Sequence, residues 1–189
     1  MVKTRPTVAL YGGSFDPPHR GHQAIVQHLR TRPEIDRVIL VPAWRNPFKA
    51  STLASPAQRL AWCRTLFDAP DVDVDASEID AGRPVYTIET WDRLKRDGDP
   101  RYLVIGSDQL PTVTEWKAFD RLNREATWLV FARPGYDQGY EALAHYERIP
   151  LGLPESSTRI RQEGELDAID PRIAAEVAAL LRPAPKGEQ

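Results

Sequence analysis

Cys63 is the only cysteine in the chain, so no intramolecular disulfide can form. One cysteine and no third paired histidine also argue against a zinc site. No apolar run approaches the roughly 18 residues that cross a bilayer. The opening Met1-Val2-Lys3-Thr4-Arg5-Pro6 carries charges with no apolar stretch behind them, so a secretory leader is not expected. A cytoplasmic protein with no membrane partner is the resulting expectation. An excess of charge of one sign is missing too. The net charge is −2, which gives no general attraction to nucleic acid or to an anionic membrane. Any phosphate site must therefore be built locally. Neither G-x-G-x-x-G nor a P-loop G-K-[ST] occurs, and an H-E-x-x-H metalloprotease pattern is absent. There is no internal repeat, low-complexity tract or sign of a second domain.

What is present is an ordinary globular composition, with 41% apolar residues in 189. Length predicts one domain over residues 1–182, and the Pro-rich 183–189 reads as a flexible tail. Four short apolar runs read as buried parallel strands: Val8–Tyr11, Val38–Val41, Tyr102–Ile105 and Trp128–Phe131. Helical patterns lie between them. Ala24, Ile25, Val26 and Leu29 share a face, and Ser55-Pro56 starts a helix striped by Leu60, Cys63, Leu66 and Phe67. Ile88, Trp91 and Leu94 follow Thr87 at helical spacing, and Asp170-Pro171 opens a last helix with Ile173, Val177, Leu180 and Leu181 inward. Strands alternating with helices predict a doubly wound α/β fold, a Rossmann-like, mostly parallel sheet with helices on both faces. Ligands in such folds bind beyond the carboxyl ends of the strands, near a topological switch point.

The first strand run feeds Gly12-Gly13-Ser14-Phe15-Asp16-Pro17-Pro18-His19-Arg20-Gly21-His22. A glycine-rich turn entering a helix forms an anion site, because the first N–H groups of the helix lack internal partners. Residues i and i+3 share a helix face, so His19 and His22 can address one ligand. Gly21 leaves the backbone between them open. Taken alone, two histidines at a helix start could be a surface pair. His28 reads as a surface residue, and His145 sits in no motif. Near the other end, Ser156-Ser157-Thr158-Arg159-Ile160-Arg161 could simply cap a helix. Capping and phosphate binding are compatible, and Arg161 offers a forked donor suited to phosphate, with Arg159 pointing elsewhere.

The two blocks together resemble the H-x-G-H nucleotidyltransferase superfamily, whose second signature is S-S-T-x-I-R. The similarity is closest to its bacterial nicotinate-nucleotide adenylyltransferase branch and runs from Thr7 to about Leu181. The resemblance implies adenylyl transfer from ATP to nicotinate mononucleotide, giving deamido-NAD and pyrophosphate. It implies catalytic roles for His19, His22 and Arg161. It places ATP on Gly12, Gly13, Ser14, Phe15 and Gly21, on Gly106 and Asp108, and on Ser156, Ser157 and Thr158. The mononucleotide end falls to Thr87 through its backbone, to Trp116 stacked on the pyridine ring, and to Arg45, Lys49 and Lys117 as positive charge. Mg²⁺ accompanies ATP, with no protein metal site implied. The chain departs from the branch at Val85, where serine is usual, and at Pro47-Phe48-Lys49, which lacks a histidine. The role of Arg133-Pro134-Gly135 stays open.

Other readings remain. Pantetheine-phosphate adenylyltransferases are similar but carry threonine where His19 stands, and His19 and Trp116 count against that branch. A cytidylyltransferase would have a different C-terminal motif. A nucleotide-sensing module of the same fold would be the non-enzyme alternative. Nicotinate and nicotinamide mononucleotide differ by one carboxylate against one amide, which the residues do not separate. Oligomeric state is equally unreadable.

Overall fold

The computed structural model describes residues 5–45, 52–151 and 156–182. A six-stranded sheet in the order β3-β2-β1-β4-β5-β6 forms its centre, and all five strand pairings are parallel. The strands are β1 (Thr7–Gly13), β2 (Arg37–Pro42), β3 (Val72–Val74), β4 (Asp99–Gly106), β5 (Thr127–Ala132) and β6 (Tyr146–Pro150). All four predicted runs lie inside β1, β2, β4 and β5. The two edge strands, β3 and β6, are additions that no apolar run announces.

Continuous apolar runs are what strands covered on both faces require. Alternate residues of each central strand enter two different cores. Ala9, Tyr11, Val38, Leu40, Leu129 and Phe131 point to one side. There they meet α1 (Arg20–Arg30), α2 (Pro56–Leu66) and α7 (Pro171–Leu181). Val8, Leu10, Ile39, Val41, Leu103 and Trp128 point to the other. That side is closed by α4 (Thr87–Leu94), a 3₁₀ stretch over Ser107–Glu115 and α5 (Phe119–Glu125). The fold is doubly wound, with the helices on both faces.

Helix starts follow the sequence signals. The Ser55 hydroxyl accepts from the Gln58 N–H, with Pro56 at the first helical position. Asp170 caps α7 by accepting from the Arg172 N–H. In α7, Ile173 and Val177 are buried, but Leu180 is exposed in the last turn and only Leu181 packs on the core. His28 also differs from expectation, standing half-buried with its ring edge-on to Phe131. Cys63 is buried in the α2 stripe, where burial pushes its thiol pKa up and keeps it inert. Among the described residues, no helix is long and apolar enough to cross a membrane. The predicted tail, 183–189, lies outside the described residues.

Candidate active site

The strand order reverses between β1 and β4, and the loops leaving their carboxyl ends part there. A cavity of about 600 Å³ opens at this point. Its floor is the turn after β1, Gly12 to Phe15, together with the ends of β2 and β4. The expected residues gather from six separate segments. His22 stands at the start of α1 and Arg45 follows β2. Thr87 opens α4, Gly106 ends β4, Asp108 lies in the first turn of the 3₁₀ stretch, Trp116 and Lys117 follow that stretch, and Ser156, Ser157 and Thr158 start α6 (Ser157–Glu163). His19, Gly21 and Arg161 do not line the cavity. Lys49 and the rest of the Pro47-Phe48-Lys49 segment lie outside the described residues.

His19 is fully buried and is the N-cap of α1, not a residue within it. Its Nδ1 accepts from the Gly21 N–H at 3.1 Å, and Nδ1 of His22 accepts from the His19 N–H at 3.1 Å. Two imidazoles thus form a reciprocal capping box. A ring nitrogen that accepts carries the lone pair, so this geometry assigns the proton of each ring to Nε2. The rings lie 3.8 Å apart, centroid to centroid, and Phe15 packs on His22 at 4.9 Å. Phe15 holds φ of +47°, a conformation rare outside glycine.

Asp16 joins the two sequence blocks. Its carboxylate, fully buried, accepts from the Leu53 and Ala54 N–H groups at 2.8 and 2.9 Å. Its carbonyl accepts from Arg161 Nη1 at 2.5 Å, and the same guanidinium lies 3.8 Å from the carboxylate. Arg161 Nη2 reaches the Thr158 hydroxyl at 3.3 Å. The Ser157 hydroxyl donates to the Pro17 carbonyl, and Ser156 caps α6 by accepting from the Arg159 N–H. Arg159 itself turns outward to Glu163 and Glu165. Arg161 therefore ties α6 to the end of the glycine-rich turn and touches the cavity wall through the Thr158 hydroxyl.

At the end of β4 a glycine leaves room for two side chains of the site. A Cβ on Gly106 would fall 2.3 Å from Asp108 Oδ1 and 3.0 Å from Arg133 Nε. Asp108 and Arg133 form an ion pair at 3.2 Å on the cavity wall. Trp116 is half-buried, edge-on to Trp128 at 6.0 Å, and presents its remaining surface to the cavity. Lys117 lies over the Tyr86 ring at 4.2 Å and pairs with Glu89 at 3.6 Å.

Two buried ionic groups at the site were not anticipated. Arg59, 1% exposed, sits on the buried face of α2 at i, i+3, i+4 and i+7 with Trp62, Cys63 and Leu66. That core-face placement was the available signal. Glu78, on α3 (Ser77–Ala81), lines the cavity and accepts from the Trp44 N–H at 3.4 Å. Burial pushes Glu78 up to about 7, helped by the charges of Asp75 and Glu89, against the Trp44 N–H and Arg59, which pull it down. The folded pKa lies above the ordinary value of 4.5. Between those two values the native state holds a proton that the unfolded chain has released, so stability falls as pH rises through this window and levels above it. Glu78→Gln lacks that slope. It should gain on the native protein with rising pH, by at most ~3 kcal/mol at pH 8, at ~1.4 kcal/mol per unit. Chemical denaturation of both proteins from pH 5 to 8 checks this, and parallel curves would refute it.

A family model described as cytidylyltransferase-like matches residues 10–163. A protein of Sulfurovum sp. named probable nicotinate-nucleotide adenylyltransferase is 40% identical over 95% of this chain and 96% of its own length. One of the same name from Nitratiruptor sp. is 39% identical over 93% and 98%. The fold is also that of the nicotinic acid mononucleotide adenylyltransferase of Plasmodium falciparum solved with NaAD. That likeness has a TM-score of 0.70 at 16% identity, covering 93% of this chain and 94% of that one. The chain belongs to the cytidylyltransferase-like family, on its nicotinate-nucleotide adenylyltransferase branch.

Proposed function

We infer that this protein transfers the adenylyl group of ATP to nicotinate mononucleotide, releasing pyrophosphate and forming deamido-NAD. The observation that carries the reading is one cavity walled at once by the H-x-G-H helix start, the S-S-T segment and Trp116. No enzyme nucleophile is required. A 5′-phosphate oxygen of the mononucleotide attacks the α-phosphorus of ATP, and the bond from that phosphorus to the β-bridging oxygen breaks. Such a transfer depends on positioning and on stabilising charge at the phosphate oxygens. His22, on the cavity wall, is assigned to donate its Nε2–H to those oxygens. His19 acts first by holding that tautomer, and the resemblance assigns it to the same phosphates. Arg161, beside Thr158, is assigned to the departing β- and γ-phosphates with the Ser156 to Thr158 segment. Asp108 is assigned to ribose hydroxyls and Thr87 to the nicotinate end through its backbone at the start of α4. Arg45, and Lys49 in our reading, add positive charge.

Among the described residues, no three His, Cys, Asp or Glu side chains cluster to hold a metal ion. Mg²⁺ would be carried by the phosphates of ATP, where it would supply charge neutralisation. Both substrates are charged nucleotides, which suits the cytoplasmic setting we assign.

The direct test is pyrophosphate release with ATP and each candidate acceptor. Nicotinate mononucleotide should be preferred over nicotinamide mononucleotide and phosphopantetheine, and release with neither pyridine nucleotide would overturn the reading. A narrower test uses Trp116→Ala. An indole on a pyridinium ring contributes ~0.5–2 kcal/mol, and lost stacking area adds to it. The acceptor KM should rise about tenfold, since ~1.4 kcal/mol is a factor of ten, with the ATP KM little changed. Equal rises in both constants would make Trp116 a packing residue.

A further inference from the structure

We propose that Arg59 is a positioning residue that sets the spacing between the two substrate-bearing loops, by clasping the Ser14 carbonyl of one and the Trp44 carbonyl of the other. The proposal rests on the adenylyl-transfer reading above.

The guanidinium is buried. Its Nη1 donates to the Ser14 carbonyl at 2.6 Å and its Nη2 to the Trp44 carbonyl at 2.8 Å. These acceptors lie in different loops. Ser14 belongs to the turn after β1, assigned to ATP. Trp44 lies between Ala43 and Arg45 in the segment after β2, on the mononucleotide side, and both neighbours line the cavity. At the strand ends the two loops are joined by the Ala43 N–H on the Gly13 carbonyl at 2.9 Å. One residue beyond, the clasp takes over. The Trp44 peptide is held on its other side by the Glu78 carboxylate.

An arginine is a costly choice for this place. Burying a charged side chain carries a desolvation penalty, and a well-packed apolar residue often serves stability as well or better. Burial depresses the guanidinium pKa, opposed by the facing charges of Asp16 and Glu78. Nε is buried without a hydrogen-bond partner among the described residues. What arginine supplies in return is a rigid planar fork able to hold two carbonyls at a fixed separation. Lysine keeps the charge but offers rotatable donors on one nitrogen at the end of a flexible stem, which do not fix the separation of the two carbonyls.

Two bound reactants make the consequence specific. Each half-site keeps its own contacts when the clasp is loosened, so each KM is spared. Only the relative placement of attacking oxygen and phosphorus suffers, and a displacement near 1 Å can cost ~10²-fold in rate.

The test is Arg59→Lys, assayed beside the native protein with each substrate varied, well below the melting temperature of the variant. The expected result is a kcat at least tenfold lower with both KM values within about threefold. Hydrogen exchange on the same proteins should accelerate in both the 12–18 and 42–45 segments. A folded variant with kcat within twofold of native, or exchange unchanged in both segments, overturns the proposal. If Arg59→Lys does not fold, Arg59→Gln is judged on the same two measures. Failure of both variants to fold assigns Arg59 to stability alone and also overturns it. A native protein that releases no pyrophosphate refutes the adenylyl-transfer reading instead, and the exchange measurement then still decides the clasp.

Discussion

His22→Ala should lower kcat by ~10²-fold or more, the size of effect seen when one preorganised donor is lost from a site that stabilises developing charge. Of the two histidines, His22 is the one on the cavity wall, and its accepting Nδ1 leaves Nε2 as the donor. The substitution also removes an acceptor from the start of α1, for which ~1 kcal/mol of stability is the expected loss. That is small against the kinetic effect, so the variant should remain folded. The ATP KM should move less than kcat, because the contact is asked to strengthen in the transition state. Steady-state kinetics with circular dichroism on the same sample checks both parts. A folded variant with near-native kcat would remove His22 from the chemistry.

Asp16→Ala should be the most damaging single change to stability at the site. The carboxylate is fully buried and receives two backbone N–H groups and the flank of Arg161. Removing one member of a buried ionic set costs ~3–5 kcal/mol. Arg161 keeps its bond to the Asp16 carbonyl and is partly exposed, which argues for the lower end. At ~2–4 °C per kcal/mol for a chain of this size, Tm should drop by roughly 6–12 °C. Asp16→Asn retains one accepting oxygen and should lose about half as much. Calorimetry on the two variants is sufficient, and a Tm within about 2 °C of native for Asp16→Ala would show that the carboxylate does not hold these loops.

The central sheet was readable because its strands are buried on both faces, and Val8–Tyr11, Val38–Val41, Tyr102–Ile105 and Trp128–Phe131 carry no polar residue that would blur them. The edges were not. Val72-Asp73-Val74 is too short to form a pattern, and Tyr146-Glu147-Arg148-Ile149 is mostly exposed and charged, as an edge should be. The site was legible wherever chemistry is written locally: a glycine-rich turn, a capped helix, a paired motif. Three of its organising groups were not. Asp16 acts on Leu53, 37 residues away, and on Arg161, 145 away. Arg59 and Glu78 both reach the Trp44 backbone because α2 and α3 pack beside β2. Their roles are set by tertiary pairing, and no local spacing encodes it.

The imidazole cap at position 19 bears on how the wider superfamily varies. Where His19 stands, the similar pantetheine-phosphate branch carries threonine, which looks like an exchange of unrelated side chains. At an N-cap it is not, since threonine is itself a preferred acceptor for the second and third amides of a helix. The position asks first for a lone pair beside the Gly21 N–H and only then for a particular donor. Divergence there can alter what reaches the phosphates while the helix still begins at the same residue, so substrate branches can part without the scaffold being rebuilt.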